Sequence, residues 1–423
     1  RSLVILTRPG YKMTEIGEIP EEWDIKELHQ VSEQRKDLIE PAKYMLELYV
    51  GLENITSGQL KISSYGETSD LKSSKFRFQK GDILYGKLRP YLDKIALAET
   101  DGICSTDIIP IVSKNSDNRY LAYMLHSSFF LQFVKTTISG TNHPRTNWKQ
   151  MSRFIMSFPP LSEQQKIAEI LSTADEAIQK VNEQITLTEL LKKGLMQTLL
   201  TRGIGHTKFK MTELGEMPEE WSLDSIKNCS LPTNSIDPLV VFGESYFKYI
   251  DVSEISSQEL AIKGTKEIQG VKAPSRARKG VKGDDIIFAT IRPYLKRIAM
   301  VPKYLDGNVC STAFCVIRAN GSKVLPKFLF YSITLDKFVS NVSSSQTGSA
   351  YPAVSDSQVL SERVVIPPLP EQQKIAEILS TADSKLELLR KKKEHLEILK
   401  KGLMNDLLTG KVRVKMDSSG SVN

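Results

Sequence analysis

Residues 159–175 read PPLSEQQKIAEILSTAD and residues 367–383 read PPLPEQQKIAEILSTAD, identical at sixteen of seventeen positions. Each copy opens a run that closes on the same pentapeptide, Lys192-Lys193-Gly194-Leu195-Met196 in the first and Lys400-Lys401-Gly402-Leu403-Met404 in the second, at a constant offset of 208 residues. A long offset without gaps marks a rigid element used twice, because loops absorb insertions and packed helices do not. Apolar or small residues recur at Ile167, Leu171, Ala174, Ile178, Val181 and Ile185, in the alternating steps of four and three that make a coiled-coil seam; Ile375, Leu379, Ala382, Leu386 and Leu389 repeat the register. The Pro-Pro pair stops any helix upstream. Ser162 with Gln165 is expected to form a capping box, and Pro370 suits the first helical position of the second copy. A helix from Leu161 to about Leu200 would span roughly 60 Å at 1.5 Å per residue, more than one domain needs. The spacing therefore predicts two long helices that join separate bodies; the plainer alternative is a pair of surface helices, each on its own domain.

Gly194 and Gly402 sit at matching places inside the helices, where glycine costs about 1 kcal/mol against alanine. Their recurrence predicts a close approach by the opposite helix or a partner subunit, with a simple helix end as the alternative. By heptad count Lys192, Lys393 and Lys400 fall on the seam, which makes its later part polar and open to a partner subunit.

The length of 423 residues suits two or three domains, each with its own core, and 40% hydrophobic with 25% charged residues is ordinary for globular protein. No apolar run reaches membrane-spanning length, so a cytoplasmic protein is expected. Ser2 to Leu6 is too short for a signal peptide, and a chain opening on Arg1 reads as one without its natural start. Cys104, Cys229, Cys310 and Cys315 lack CxxC spacing and read as reduced core thiols. The net charge of +7 is a mild pointer to an anionic partner.

The duplication extends beyond the helices. Tyr11 to Trp23, YKMTEIGEIPEEW, returns as Phe209 to Trp221, FKMTELGEMPEEW, with ten of thirteen positions identical. Leu6-Thr7-Arg8 matches Leu200-Thr201-Arg202 at the end of the first helix, which places the chain's beginning where a helix end would lie: a circular arrangement. Within each globular part, Leu48-Tyr49-Val50 corresponds to Tyr249-Ile250-Asp251-Val252, Gly81-Asp82-Ile83-Leu84 to Gly283-Asp284-Asp285-Ile286-Ile287, and Arg89-Pro90-Tyr91-Leu92 to Arg292-Pro293-Tyr294-Leu295. Tyr120 to Val134 and Pro326 to Val339 carry a helical pattern, followed by the polar loops Ser139 to Pro144 and Thr347 to Pro352.

Taken together, the order of elements, their duplication and the PPLxEQQKIAEIL helix opening resemble the specificity subunit of type I DNA restriction-modification systems over nearly the whole chain. The expected fold is α+β: two mixed α/β target-recognition domains separated by two long antiparallel coiled-coil helices in a pseudo-two-fold, circular arrangement. The expected boundaries are 1–159, first recognition domain; 160–203, first helix; 204–366, second recognition domain; 367–410, second helix; 411–423, polar tail. The resemblance implies a subunit without chemistry of its own. It would direct modification (methyltransferase) and restriction (translocase/endonuclease) subunits to double-stranded DNA carrying an asymmetric two-part site, with the helices setting the spacer. S-adenosylmethionine, ATP and Mg2+ would belong to those partners and no cofactor to this chain.

The sequence carries no recognisable catalytic motif. The prolines of Phe158-Pro159-Pro160-Leu161 and Ile366-Pro367-Pro368-Leu369 do not make the Asn/Asp-Pro-Pro-Tyr/Phe grip of an amino-methyltransferase. Gly203-Ile204-Gly205 follows a helix instead of a strand, and the five histidines form neither an HExxH pair nor a zinc spacing. Asp70-Leu71-Lys72 is at most half of a nuclease carboxylate site. A coiled-coil scaffold whose domains bind protein is the other class of reading, with a stand-alone metal-dependent nuclease behind it.

The residues expected to meet DNA are polar and differ between halves, since bases are read by what varies. In the first domain they are Lys72, Lys75, Arg77, Lys87, Arg89, Thr141, Asn142, His143, Arg145 and Asn147; in the second Lys272, Ser275, Arg276, Arg278, Lys279, Arg292, Gln346, Thr347, Ser349 and Tyr351. Asn and Arg are the types that pair bidentately with adenine and guanine edges. For each basic residue, a phosphate contact or a solvated charge is the competing reading. Arg89 and Arg292 recur with Pro-Tyr behind them, which favours a shared structural or backbone-binding role.

Overall fold

The computed structural model describes residues 7–40, 48–68, 73–346 and 352–415. Packing divides the chain into two compact units, residues 1–183 with 390–423 and residues 184–389. Each unit takes one mixed α/β domain and part of both long helices, so the division runs through the helices.

The first helix runs Leu161–Leu199 and the second Leu369–Leu408. Within the first unit, Ile167, Ala168 and Leu171 share a core with Met404, Leu407 and Leu408. Within the second, Leu199 and Leu200 share one with Ile375 and Leu379. Residue numbers rise on one helix as they fall on the other, so the helices pack antiparallel along the predicted seam. Each such leucine or isoleucine contributes about 1.5–3 kcal/mol by leaving water.

Two local expectations about the helices give way. Ser162 lies inside the first turn and caps nothing, because the Pro160 carbonyl already accepts from Glu163 N at 2.9 Å and Gln164 N at 3.0 Å. Around Gly194 and Gly402 a Cβ would meet nothing within 4 Å, and both helices continue past them, so neither an approaching helix of this chain nor a helix end explains them. The glycines that end the helices are Gly203 (φ +67°) and Gly410 (φ +71°). A Cβ there would press on Trp221 at 2.6 Å and Pro20 at 2.4 Å, so both the left-handed backbone and the close approach require glycine.

The seam lysines pair within the protein. In the first unit Lys400 Nζ lies 2.6 Å from Asp175 Oδ1, and Tyr123 Oη donates to Asp175 Oδ2 at 2.7 Å. In the second, Lys192 Nζ lies 2.5 Å from Asp383 Oδ1 and Tyr331 Oη donates to Asp383 Oδ2 at 2.7 Å. Lys192 and Lys400 therefore face an aspartate of the opposite helix and not a partner subunit: a charge on a buried seam is tolerated only when its neighbour answers it. A second duplicated contact sits at each helix start. Trp23 Nε1 donates to Glu163 and Trp221 Nε1 to Glu371, both at 2.9 Å. Arg413 also binds Glu163, at 2.8 Å, whereas His206 occupies that place on Glu371, at 2.9 Å.

The globular part of the first unit holds two four-stranded sheets. One is antiparallel, in the order Ser32–Gln34, Ile108–Ser113, Ile83–Gly86, Ile95–Leu97; the Gly81-Asp82 turn that feeds Ile83–Gly86 is held by Arg35, whose Nε donates to Asp82 at 2.6 Å. Its twin in the second unit runs Ser230–Leu231, Phe314–Ala319, Ile286–Ala289, Ile298–Met300, and Arg318 grips Asp285 with two hydrogen bonds. The other sheet is where the halves diverge. Its order is Leu38–Ile39, Lys75–Phe78, Gly102–Cys104, Tyr49–Val50 in the first unit and Lys266–Gln269, Tyr246–Ile250, Val309–Ser311, Ala277–Gly280 in the second. The three shared strands keep their pairing, but the fourth joins opposite edges. The helical stretches predicted as single runs are broken in two, Asn118–Leu125 with Ser128–Thr136 and Pro326–Thr334 with Asp336–Ser344, since Ser127 caps a new helix in the first.

Arg8, near the first of the described residues, lies by the end of the second helix. Arg8 Nη1 donates to the Lys411 carbonyl at 3.3 Å, pairs with Glu18 at 2.5 Å and covers the Tyr11 ring at 4.0 Å. Arg202 does the same work in the second unit, against Glu216 at 2.9 Å and the Phe209 ring at 5.4 Å. The four cysteines are free and buried; burial pushes the thiols of Cys310 and Cys315 up to about 12 and that of Cys229 up to about 11.

Candidate nucleic-acid interface

In the first unit the turn after strand Ile83–Gly86 and the loop before strand Ile155–Phe158 are stitched into one surface. Thr146 N donates to the Lys87 carbonyl at 3.1 Å, Lys87 N to Asp107 at 2.9 Å, and Arg89 N to Pro144 at 2.7 Å. Lys87, Arg89 and the 141–147 loop are thereby brought together, and Thr141, Asn142 and His143 form its exposed tip. Arg145 and Asn147 have other duties. Arg145 donates from Nε to Asp107 Oδ1 at 2.8 Å and from Nη2 to Oδ2 at 3.2 Å, and this holds the Asp107 carboxyl below its ordinary range. The fork that would read a guanine edge is thus filled by an intramolecular carboxylate. Asn147 Oδ1 accepts from Gln150 N at 3.0 Å and caps the helix Trp148–Met151.

Lys75 and Arg77 stand on a strand of the other sheet, Lys75–Phe78. Arg77 is exposed, but Lys75 is only 4% exposed, and its ammonium donates to the Ser73 carbonyl at 2.6 Å and hydroxyl at 2.8 Å. Lys72 and the Asp70-Leu71 pair lie outside the described residues.

The second unit repeats the stitching. Arg292 N donates to Pro352 at 2.8 Å and Val354 N to Thr290 at 3.0 Å, so Arg292 stands beside the end of the corresponding loop. Gln346 is exposed at the loop's start, while Thr347, Ser349 and Tyr351 lie outside the described residues. Lys272, Ser275 and Arg276 are exposed on the approach to strand Ala277–Gly280; Arg276 pairs with Asp251 at 3.0 Å. Arg278 donates to the Ala277 carbonyl at 2.9 Å. Lys279 is drawn inward, donating to the Phe314 carbonyl at 2.5 Å and pairing with Asp356.

Sequence reasoning passed over the backbone of the recurring Arg-Pro-Tyr-Leu. Arg89 and Asp93 hold φ near +50°, and so do Arg292 and Lys296, the same two places in each unit. A side chain other than glycine pays about 1–2 kcal/mol for that left-handed conformation. Asp107, the holder of Arg145, was also missed; it lies far from Arg145 in sequence with no motif around it.

Two units sharing one framework but carrying different polar surfaces define a duplicated binding subunit. The model of the type I restriction modification DNA specificity domain matches residues 20–189 and 245–398, and the chain belongs to that family. A Methanocaldococcus jannaschii protein assigned as the MjaX specificity subunit of a type I restriction enzyme is 30% identical, across 96% of this chain and 97% of that protein. Among solved structures, the type I restriction-modification S subunit of M. genitalium is similar over 97% of this chain and 100% of its own, with a TM-score of 0.56 and 14% identity. A chain from a structure addressing complex assembly and conformational transition of a type I R-M system is similar over 93% of this chain and 99% of its own, with a TM-score of 0.57 and 16% identity. These two likenesses show the fold.

Proposed function

We propose that the chain is the DNA-recognition subunit of a type I restriction-modification complex, that each unit's domain reads one half of a two-part duplex site, and that the helices set the unread spacer. The observation that carries this is the duplicated framework, down to the Tyr-Asp-Lys and Trp-Glu contacts, combined with loops and edge strands that differ. Two copies kept for one identical task would have no reason to keep these paired contacts while changing their loops and edge strands. Thr141, Asn142 and His143 are the base-reading tip of the first unit, while Arg77, Lys87, Arg89, Lys272, Ser275, Arg276, Arg278, Arg292 and Gln346 face phosphates or base edges. Arg145 reads a base only after exchanging Asp107 for it. Asn147, Lys75 and Lys279 hold the scaffold.

The subunit performs no bond chemistry in this reading. Methylation and cleavage, with S-adenosylmethionine, ATP and Mg2+, belong to the modification and restriction subunits. An exposed stripe of Leu187, Leu190, Leu191 and Gly194 on the first helix, with Ile398, Leu399 and Gly402 at the matching places of the second, suits a partner helix there. The test is domain exchange: replacing residues 13–158 by the first recognition domain of another family member, and mapping methylated sites in the presence of the methyltransferase subunit. One half-site should change and the other persist; change in both would end the proposal. Failure to select any two-part sequence would favour the protein-binding scaffold.

A further inference from the structure

The turns Arg89-Pro90-Tyr91-Leu92 and Arg292-Pro293-Tyr294-Leu295 share a build that their internal contacts explain only in part: Asp93 pairs with His126 and Lys296 with Asp336, which anchors the far end of each turn and leaves its tip unaccounted for. In each, the proline is buried as the root while the tyrosine and leucine are about half exposed: Tyr91 45%, Leu92 41%, Tyr294 50% and Leu295 40%. Single apolar residues on a surface are ordinary, but the same aromatic and leucine pair half exposed on the same turn of both units is a recurrence that chance scatter does not give. Backbone hydrogen bonds also tie the tip together. Leu92 N and Leu295 N donate back to the carbonyls of Arg89 and Arg292, Asp93 N and Lys296 N to those of Pro90 and Pro293, and the arginine N–H groups are tied to Pro144 and Pro352. Left-handed backbone is retained at both ends of both turns without recourse to glycine or asparagine. Strain kept twice, in order to present an arginine, an aromatic ring and a leucine beside the variable loop, points to a ligand.

We propose that each turn is a wedge for duplex DNA: the tyrosine ring and leucine enter the groove against deoxyribose and base edges, and the arginine meets the adjoining phosphate. The inference rests on the DNA-binding reading above. Its role is independent of base sequence, because the same residues stand beside two loops that differ, and an identical tip cannot distinguish two half-sites. Apolar side chains in a groove and cations on phosphates are contacts that every sequence offers. The wedge thus fixes the depth at which each neighbouring loop meets its bases.

The experiment uses the full chain with its methyltransferase subunit. Tyr91→Ala, Tyr294→Ala and the double variant are compared with Tyr91→Phe and Tyr294→Phe, for affinity to cognate and random duplexes and for the map of methylated sites. Each alanine variant should bind both duplexes roughly tenfold more weakly, the scale of one lost aromatic contact, and still select the same bases. The phenylalanine variants should bind like the parent. Unchanged affinity in the alanine variants, or altered base preference in one half-site, overturns the wedge; thermal melting like the parent's excludes misfolding as the cause of weaker binding. A parent complex that selects no two-part sequence overturns the DNA reading itself, whereas a selective parent with indifferent variants overturns only the wedge.

Discussion

Lys400 shows how one residue's worth depends on what surrounds it. Its side chain is 7% exposed and answered by Asp175, while its counterpart Lys192 is 18% exposed and answered by a more open Asp383. Replacing Lys400 by alanine strands a carboxylate against Tyr123 and should cost about 3 kcal/mol, as broken buried pairs do. Lys192→Ala should cost about a third of that, since water reaches Asp383 and screens it. Urea titration of the two variants checks the order, which would be wrong if Lys192 proved the costlier loss. The Asp107 pair adds a pH dependence. Its carboxyl is depressed by the hydrogen bond from Arg145, so the stabilisation is complete above the unfolded carboxylate value and is lost as pH falls through the lower folded value. Asp107→Asn should therefore be less stable than the parent at neutral pH and should converge with it in acid, by thermal melting. The partners were not legible in sequence: residue type marked Arg145 and Asn147 as readers, but the fold gave each an intramolecular partner first.

The long helices were legible because a 3.6-residue period written over some forty residues leaves one buried stripe, and the buried seam residues fall on it. What the period did not give was the environment of each place along it. The heptad count put Lys192 and Lys400 on the seam correctly but could not supply Asp383 and Asp175, which come from the opposite helix. The interior glycines were read as sites of close approach, yet a Cβ at Gly194 meets open space. Gly194→Ala should thus stabilise the isolated subunit by about 1 kcal/mol, measured as a raised midpoint in urea; destabilisation would show that the surroundings are tighter than they stand. In the globular domains the strands common to both halves could be found by matching the copies. The strand that changes edges could not, since a match is informative only where the copies agree.

At the scale of the whole molecule, the duplication itself made the organisation readable, and the family followed from it. If the paired helices fix the separation of the half-sites, four helix-forming residues inserted after Thr188 add about 6 Å along the axis at 1.5 Å per residue. With 3.4 Å per base pair, the unread spacer should lengthen by roughly one to two pairs while the half-sites stay the same. Four residues nearly complete a turn, so the seam keeps its register; two would rotate the downstream stripe by about 200° and should fold poorly. Methylation mapping of the four-residue variant reads the answer, and an unchanged spacer would remove the helices from any measuring role. The two carboxylates in the seam carry a further implication. Asp175 is answered by the lysine of the other copy and Lys192 by the aspartate of the other copy, so neither repeat satisfies its own charges. Two identical half-length chains would satisfy each other in the same way, and such a pair would present one recognition surface twice. Joined in one chain, the two halves are free to carry different loops, so the target they suit need not be symmetric.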